Sequence, residues 1–290
     1  MANTPVVVLD DTMTSIANAI RSKTGGSATM TPGQMPAQIA SIPVGTLGIP
    51  REVDANGVYG MPARNLTFAL PPTAKNIGGY VLTNAFYGCA TLTSVDLSSL
   101  TTISGSSALD SAFYGCYALT SVDLSSLTTV SGSSALNNVF RSCSALASVD
   151  LSSLTTVSGS YAFYYAFYSC ISFTSIDLSS LTTISGGSAF SYAFYGCTGL
   201  TSVSFPALTT ISGSSALSNA FQSCTGLTSV SFPALTTSSF GYNTNQFNNM
   251  LRICSGVTVH FPAAIQSTIG SWSDVTNGFG GTNTTVLFDL

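Results

Sequence analysis

Hydrophobic and polar positions repeat every 27 residues along residues 85–249 of this chain. Cysteine is the clearest marker of the repeat, and it recurs six times at that interval: Cys89, Cys116, Cys143, Cys170, Cys197 and Cys224. A fixed period of this length without a slipped residue is typical of a solenoid, in which each coil packs only on its neighbours. We therefore expect a stack of about six coils.

Within one coil, residues 92–103 read L-T-S-V-D-L-S-S-L-T-T-I and match the spacing L-x-x-L-x-L-x-x-L. Val95 and Leu97 alternate with polar residues, which predicts a short strand with one buried face. A Ser-Gly-Ser-Ser turn follows, and apolar residues then recur at i, i+1, i+4, i+5 and i+8, the spacing of one helix face. These apolar residues are Ala108, Leu109, Ala112, Phe113 and Cys116.

Each coil is thus predicted as strand, turn and three-turn helix, and the array as an α/β solenoid of the leucine-rich-repeat type. Parallel strands stack at about 4.8 Å, whereas helices need about 8–10 Å. The helical side must therefore spread, which places the sheet on the concave face. At helical spacing the cysteines lie too far apart for disulfides, which need Cα atoms within about 7 Å. We interpret them as a structural core ladder of free thiols.

The sequence outside the array predicts three further segments. Residues 1–48 carry two short amphipathic helices, which bury too little surface to stand alone and suggest an anchoring or oligomerisation segment, with a trimer as our expectation. Residues 49–84 are rich in Pro and Gly and are predicted to be a linker and N-terminal cap. Residues 250–290 lose the period and carry Trp272, which indicates a C-terminal cap over the open end of the stack.

Composition narrows the function classes. Only 6% of residues are charged although 45% are hydrophobic, so Ser, Thr, Asn and Tyr solvate the surface. This balance favours an extracellular, cell-surface or virion location. A net charge of −4 without a basic run argues against a nucleic-acid partner. The apolar run over residues 6–9 is far too short to span a membrane and lacks the flanks of a signal peptide, so we expect either a virion part released by lysis or a secreted protein without its leader.

The string A-F-Y-G-C-Y-A-L-T-S-V at residues 112–122 resembles the BspA-like leucine-rich repeat family. The resemblance covers about six coils, residues 85–262, and the pairs at 205–206 and 232–233 match the apolar-Pro ending of the family's coils. The Asp-Leu-Ser-Ser-Leu ending of the four earlier coils departs from it, and the period is longer than the family's usual coil. The resemblance implies surface proteins and adhesins, and it brings no catalytic residues.

The N-terminal stretches at residues 16–23 and 30–35 resemble the openings of tail-associated proteins from phages and prophages of gut bacteria. This second resemblance implies a location in the virion tail, with residues 1–48 contacting other tail proteins.

Comparison of the coils with one another indicates where a ligand would bind. The strand face is nearly constant, because serine recurs at the position of Ser94, whereas the outward face after the turn varies and is rich in Tyr. Tyr supplies contact area at low entropic cost and carries a polar group, so these positions are candidates for binding a glycan or a protein. The alternative is a solvent-exposed face without a ligand, with tyrosines stacked between coils. The candidate residues are Tyr87, Tyr114, Tyr117, Arg141, Tyr164, Tyr165, Tyr168, Tyr192 and Tyr195.

A row of carboxylates on the strand face is the second candidate: Asp96, Asp123, Asp150 and Asp177. Stacked strands would place these groups about 5 Å apart, so their repulsion needs a cation, a hydroxyl or a raised pKa. Calcium is coordinated by roughly six to eight oxygen atoms, and one carboxylate per coil supplies too few of them. We therefore predict no metal site and prefer solvated carboxylates.

Catalytic constellations are missing from the sequence. Glu52 is the only glutamate and His260 the only histidine, and no Ser/His/Asp arrangement is visible in the sequence. Paired carboxylates would have to come from the Asp row, whose equally spaced members lack the two contrasting environments that an acid and a base need. We predict that the chain is not an enzyme and needs no cofactor.

Three functions remain. The leading hypothesis is a virion tail or fibre protein, anchored through residues 1–48 as a homo-oligomer, whose solenoid binds a host-surface glycan or protein. The alternatives are a bacterial cell-surface adhesin and a structural subunit of a self-assembling filament.

Overall fold

The structure is a computed structural model. It describes residues 6–7, 52–53, 59–60, 66–70, 72, 74–236, 245–269, 275 and 277–290. The two helices predicted within residues 1–48 lie outside the described residues, and so does Trp272.

Short strands account for most of the regular structure. They are β1 Val6–Val7, β2 Glu52–Val53, β3 Tyr59–Gly60, β4 Leu66–Ala69, β5 Asn76–Ile77, β6 Leu92–Asp96, β7 Thr102–Ile103, β8 Ser121–Asp123, β9 Thr129–Val130, β10 Ser148–Asp150, β11 Thr156–Val157, β12 Ser175–Asp177, β13 Thr183–Ile184, β14 Ser202–Ser204, β15 Thr210–Ile211, β16 Ser229–Ser231, β17 Thr258–Phe261 and β18 Thr285–Phe288. Helical structure among the described residues is short: α1 Gln266–Ile269 and the 3-10 segments Ala263–Ile265 and Gly278–Gly280.

The predicted stack of coils is confirmed as a parallel β-solenoid. Each coil contributes two strands, which pair in parallel with the same strands of neighbouring coils. On the first side the strands form two sheets, one that ends at β12 and one that begins at β14, whereas on the second side β5 to β15 form one sheet. Val95, Val122 and Val149 are register partners on the first side, and Ile103 and Val130 are partners on the second. The alternation that predicted the first strand also holds, because Val122 is buried between exposed Ser121 and Asp123.

The helix predicted after the Ser-Gly-Ser-Ser turn is wrong, because no residue between 74 and 236 is helical. The segment is instead a run of overlapping turns, which we call the turn ribbon and which covers residues 105–116 and the equivalent residues of other coils. In the turn ribbon the backbone N–H groups of successive residues alternate between two kinds of acceptor, a carbonyl of the next coil and a carbonyl of the same coil. The Leu109 N–H donates to the Ala135 carbonyl of the next coil at 2.8 Å, whereas the Ala112 N–H donates to the Leu109 carbonyl of its own coil at 3.1 Å.

The backbone angles of the turn ribbon explain why a helix cannot form there. Every fourth residue has a positive φ, as at Ser107 (51°), Ser111 (54°) and Gly115 (69°), and an α-helix requires φ near about −63° throughout. Gly and small polar residues tolerate this left-handed conformation best. A turn that repeats every four residues places apolar side chains at nearly the same spacing as a helix, which turns about every 3.6 residues. The apolar pattern was therefore real, but it belongs to the turns.

Loss of the helices also removes the reason for expecting a concave sheet. Backbone hydrogen bonds join successive coils along the turn ribbon as well as along the strands, and between the strands the Thr128 N–H donates to the Thr101 carbonyl at 2.9 Å. The coils are thus held at strand spacing on each side, about 4.8 Å, and neither side needs to spread.

The cysteines are free and line the core, with Cys89 half-buried. The helical spacing that led us to expect them too far apart for disulfides is absent, because the coils are held at strand spacing. Every cysteine after Cys89 donates its thiol hydrogen to the carbonyl of a phenylalanine in the preceding coil, for example Cys143 Sγ to the Phe113 oxygen at 3.1 Å and Cys170 Sγ to the Phe140 oxygen at 3.0 Å. Phenylalanine rings stack beside them, with centroids 5.7 Å apart for Phe113 and Phe140. Thiols and rings together form the core along the length of the stack.

A column of glycines sets the closest approach of the coils: Gly105, Gly132, Gly159, Gly186 and Gly213. A Cβ atom added to Gly159 would overlap with the carbonyl oxygen of Gly132 in the preceding coil. Gly105 would clash in the same way with the backbone of Gly78 and Gly79. A side chain at this corner would push the coils apart and break the hydrogen bonds between them.

The stack extends beyond the strictly periodic region at both ends. β4 pairs in parallel with β6 and with β1, so part of the segment predicted as an N-terminal cap joins the same sheet as the coils. At the other end β17 and β18 continue the parallel order after β16, and the Cys254 thiol still donates to the Phe221 carbonyl at 3.0 Å although the spacing from Cys224 has grown to 30 residues. The domain boundaries proposed from the sequence remain predictions. Within the described residues, no helix has the length and apolarity needed to cross a membrane.

Replacing Gly159 by Ala should lower the free energy of unfolding by about 3 kcal/mol or more, because the added methyl group overlaps with backbone atoms that cannot rotate away. Gly187→Ala is the matched control, since its Cβ would make only ordinary contacts, the nearest with the Ser214 hydroxyl at 3.4 Å and the others with the Ser160 hydroxyl at 3.8 Å and the Ser214 carbonyl at 3.9 Å. Its effect should stay below about 1 kcal/mol. Chemical denaturation of the two variants measures both values. Equal stability of the two would contradict the close packing assigned to the glycine column.

The native thiols should react slowly with a thiol reagent such as 5,5′-dithiobis(2-nitrobenzoate) at pH 8. Burial raises the pKa of Cys89 to about 11 and that of Cys170 to about 12, so little of the reactive thiolate is present at that pH. Cys89, which is half-buried, should react first. All seven cysteines should react at once in denaturant. Rapid labelling of several thiols in the native protein would contradict this core.

The same thiols predict an alkaline limit of stability. Their pKa values are higher in the folded chain than the ordinary value of 9.0, so the folded state favours the protonated form. Their contribution is complete below pH 9 and is lost as the pH rises through about 11 and 12, the folded pKa values of Cys89 and Cys170. Denaturation curves between pH 8 and pH 12 should show stability that is level at first and then falls, and a level curve to pH 12 would refute the linkage.

Candidate functional site

Tyrosines predicted as binding residues form a stacked column along the turn ribbon. The positions equivalent to Tyr87 in successive coils make up what we call the outer column: Tyr87, Tyr114, Arg141, Tyr168, Tyr195 and Gln222. Because backbone hydrogen bonds hold the coils at strand spacing, neighbouring rings lie face to face. The centroids of Tyr87 and Tyr114 are 4.5 Å apart with planes 6° from parallel, and those of Tyr168 and Tyr195 are 4.6 Å apart at 5°.

The two coils that span residues 146–199 carry the densest group of rings, which we call the tyrosine patch: Tyr161, Tyr164, Tyr165, Tyr168, Tyr192 and Tyr195. Tyr165 lies at its centre, with ring centroids 4.3 Å from Tyr164, 4.9 Å from Tyr192 and 5.5 Å from Tyr168. The structure therefore brings together five of the predicted residues. Tyr117 is 57% exposed but belongs to an earlier coil and has no ring contact with the patch in the described part of the chain.

Sequence reasoning missed Tyr161, which is 47% exposed and meets Tyr164 edge to face at 5.4 Å. It occupies the position that serine holds in most coils, as at Ser107 and Ser134, and we treated that position only as part of a turn. A tyrosine at a position that is serine in most coils was the sign in the sequence that this residue differs from its equivalents.

The stacked arrangement determines what the tyrosines can offer to a ligand. Rings that lie against each other along the outer column cover each other's faces, so ring edges and hydroxyl groups remain for binding. Burial, together with a hydrogen bond between the Tyr165 and Tyr164 hydroxyl groups, raises the pKa of Tyr165 to about 12. The phenol is therefore neutral at physiological pH and can both donate and accept a hydrogen bond.

Arg141 interrupts the outer column between Tyr114 and Tyr168. Its guanidinium carbon lies 4.3 Å from the centroid of Tyr168, 5.3 Å from Tyr165 and 5.5 Å from Tyr114, which places the cation among three aromatic rings. Its Nη1 donates to Asn138 Oδ1 at 3.2 Å. Its Nε is buried without a hydrogen-bond partner.

A chain of amide groups links Arg141 to the carboxylate of Asp110. Asn138 Nδ2 donates to Asn137 Oδ1 at 2.9 Å, and Asn137 Nδ2 donates to Asp110 Oδ1 at 3.3 Å. Burial raises the pKa of Asp110, and the hydrogen bonds from Ser111 and Asn137 oppose that shift. This network fixes the orientation of Asn138 and, through it, the position of Arg141. The sequence analysis did not predict this network.

The predicted acidic row is assembled on the strand face. Asp96, Asp123, Asp150 and Asp177 are register partners in adjacent strands. Each carboxylate accepts the backbone N–H of the residue two positions later, as Asp123 does from Ser125 at 3.0 Å and Asp150 from Ser152 at 2.9 Å. This is an Asx turn, and it ends the strand.

The Asx turns give the acidic row a structural role that does not require a ligand. A shallow cleft of about 480 Å³ crosses this face and is lined by Ser94, Val95, Asp96, Ser121, Val122, Asp123, Ser125 and Asp150. Among the described residues, no group of three or more His, Cys, Asp or Glu side chains is placed to hold a metal ion. In the last coils Ser204 and Ser231 occupy the row, and Ser231 donates to Ser204 at 2.9 Å.

The single histidine lies near the C-terminal end of the stack. His260 Nδ1 is 3.0 Å from Asp289 Oδ1, so the two side chains connect β17 with the residue that follows β18. The sequence did not predict this pair. It lies far along the stack from the tyrosine patch and serves to hold the last strand.

A comparison with protein-family models identifies the repeat. The family model for the BspA type leucine rich repeat region, described as six copies, matches residues 65–166 and 164–267. A search of curated protein sequences gave no match.

A search of solved structures matched two leucine-rich proteins at low identity. A leucine-rich repeat protein of T. pallidum is 18% identical with a TM-score of 0.32, and the match covers 89% of this chain and 100% of that one. A leucine-rich cell surface protein of Faecalibacterium prausnitzii A2-165 is also 18% identical, with a TM-score of 0.18 and coverage of 76% and 78%. The family match, which spans well over half of the residues, carries the assignment: this chain belongs to the BspA-type leucine-rich repeat family.

Proposed function

We propose that the chain is a non-enzymatic surface adhesin that binds a protein on another cell through the tyrosine patch. The observation that carries the proposal is the concentration of half-exposed rings on two adjacent coils, beside an arginine, while the strand face repeats the same serines from coil to coil. Tyr and Arg are the residues that most often dominate the binding energy of protein interfaces.

The geometry of the rings favours a protein over a glycan. Aromatic residues that bind sugars use a free ring face, but along the outer column neighbouring rings cover one another at 4.5–4.6 Å. Edges and hydroxyl groups suit a polar protein surface, where Tyr contributes both contact area and hydrogen bonds. The patch is also broad and continuous across two coils, as a protein interface requires.

Location at a cell surface is supported by family membership and by composition. The BspA-like resemblance implies surface proteins, and a chain with 6% charged residues is solvated mainly by hydroxyl and amide groups. The role in a virion tail and the homo-oligomer formed through residues 1–48 remain predictions, because they depend on residues outside the described ranges. Assembly into filaments remains a prediction as well.

Replacing Tyr164, Tyr165 and Tyr168 together by Ala should weaken binding to whole cells by at least about tenfold, because these side chains form the centre of the patch. The matched control changes Ser148, Ser175 and Ser202 to Ala, which are exposed on the strand face of the same two coils and of the coil that follows. The parent chain and each variant, labelled with a fluorescent dye, would be added to a panel of cultured epithelial and bacterial cells. The amount of labelled chain bound to the cells would be measured by flow cytometry.

A second variant and two treatments of the cells distinguish a loss of binding from a loss of folding, and a protein partner from a glycan. A second variant with Tyr164, Tyr165 and Tyr168 changed to Phe keeps the stacked rings and guards against a loss of folding, and it should bind more weakly than the parent protein because its hydroxyl groups are gone. Protease treatment of the cells should abolish binding, whereas periodate oxidation of their glycans should not. Unchanged binding by the Ala variant would reject the tyrosine patch, and binding that survives protease but not periodate would reject a protein partner.

A further inference from the structure

Arg141 is the only charged member of the outer column, and it interrupts the stack of tyrosine rings. Four of the other five members are tyrosine, and the last, Gln222, is buried at the far end. The guanidinium therefore replaces a ring that would have stacked between Tyr114 and Tyr168. Three tyrosines hold it within 5.5 Å of their centroids, so the cation is presented by a rigid aromatic setting and not by a free side chain.

No carboxylate in the described residues forms an ion pair with Arg141. The ion pair seen in that part of the chain joins His260 and Asp289, far along the stack. Asp110 reaches Arg141 only through the two amide groups of Asn137 and Asn138. In a chain with a net charge of −4, Arg141 is thus a positive charge that the surrounding structure orients but does not neutralise.

The geometry of the guanidinium determines what it can bind. Its carbon lies over the Tyr168 ring at 4.3 Å, and the N–H donors of a guanidinium lie in its own plane. Nε is buried, Nη1 donates to Asn138, and Nη2 makes no hydrogen bond to the described residues. A planar oxyanion matches the remaining in-plane donors, because arginine and carboxylate form paired, charge-assisted hydrogen bonds.

We infer that Arg141 is the anion-recognition point of the tyrosine patch and that it pairs with an Asp or Glu side chain on the partner protein. The inference rests on the proposed function of the patch and adds the charge of the surface that it recognises. A protein carboxylate fits better than an acidic sugar, because the ring faces that a sugar would need are covered.

The test uses Arg141→Tyr, which removes the charge and restores the residue found at this position in the neighbouring coils, so the fold should be kept. The probe is a fluorescent hexaglutamate peptide, with trigalacturonate as a carboxylated sugar, and affinity is measured by titration at about 50 mM salt to limit screening. Wild-type protein should bind hexaglutamate at least about tenfold more tightly than Arg141→Tyr, and added salt should reduce the difference. Arg141→Lys should fall between them, because lysine keeps the charge without the planar donors.

Equal affinity of wild type and Arg141→Tyr for hexaglutamate, including absence of binding by both, would overturn the inference. Tighter binding of trigalacturonate than of hexaglutamate by the wild type would overturn the choice of a protein carboxylate. The two proposals fail separately: cell binding that the triple Tyr→Ala variant loses and Arg141→Tyr retains would reject the role of Arg141 and leave the tyrosine patch in place.

Discussion

Backbone hydrogen bonding between successive coils is the constraint on which this structure depends. It operates along both strands and along the turn ribbon, where alternate N–H groups donate to the next coil. Equivalent residues of successive coils are therefore separated by nearly the same distance everywhere, close to the spacing of paired strands. The glycine column follows from it, because only a residue without a side chain fits where Gly132 meets Gly159. The stacked core rings and the thiol bonds from Cys143 to Phe113 follow from the same spacing.

That spacing also determines how equivalent side chains of adjacent coils are arranged on the surface. A tyrosine at one position of one coil is an exposed ring, but tyrosines at the same position of adjacent coils become a stacked pair such as Tyr168 and Tyr195. Their faces are then used within the protein, and a partner meets edges and hydroxyl groups. On the strand face the same rule places Asp123 beside Asp150, and the Asx turns hold each carboxylate through a backbone N–H. Identical spacing therefore gives one face an aromatic surface and the other an acidic row with a structural role.

The sequence was sufficient to predict the coils, the parallel strands and the buried cysteines, because each depends on which residues are apolar and how often they recur. It misled on the segment from Ala108 to Cys116, since a four-residue turn and an α-helix bury nearly the same positions. The distinguishing signal was present in the residues between them: Ser107, Ser111 and Gly115 lie four apart, and small polar residues or glycine favour positive φ. Gly132, invariant in position from coil to coil, was a second sign that no helix could separate the backbones there.

The candidate residues of the site were predictable from differences among coils, but their arrangement was not. Helices at about 8–10 Å would have kept the tyrosines of adjacent coils apart, and Arg141 would then have been an ordinary surface cation. At strand spacing the same arginine is enclosed by Tyr114, Tyr165 and Tyr168, and one of its nitrogens is buried without a partner. Places where a repeat breaks its own rule are where function is expected, and in the outer column that place is Arg141.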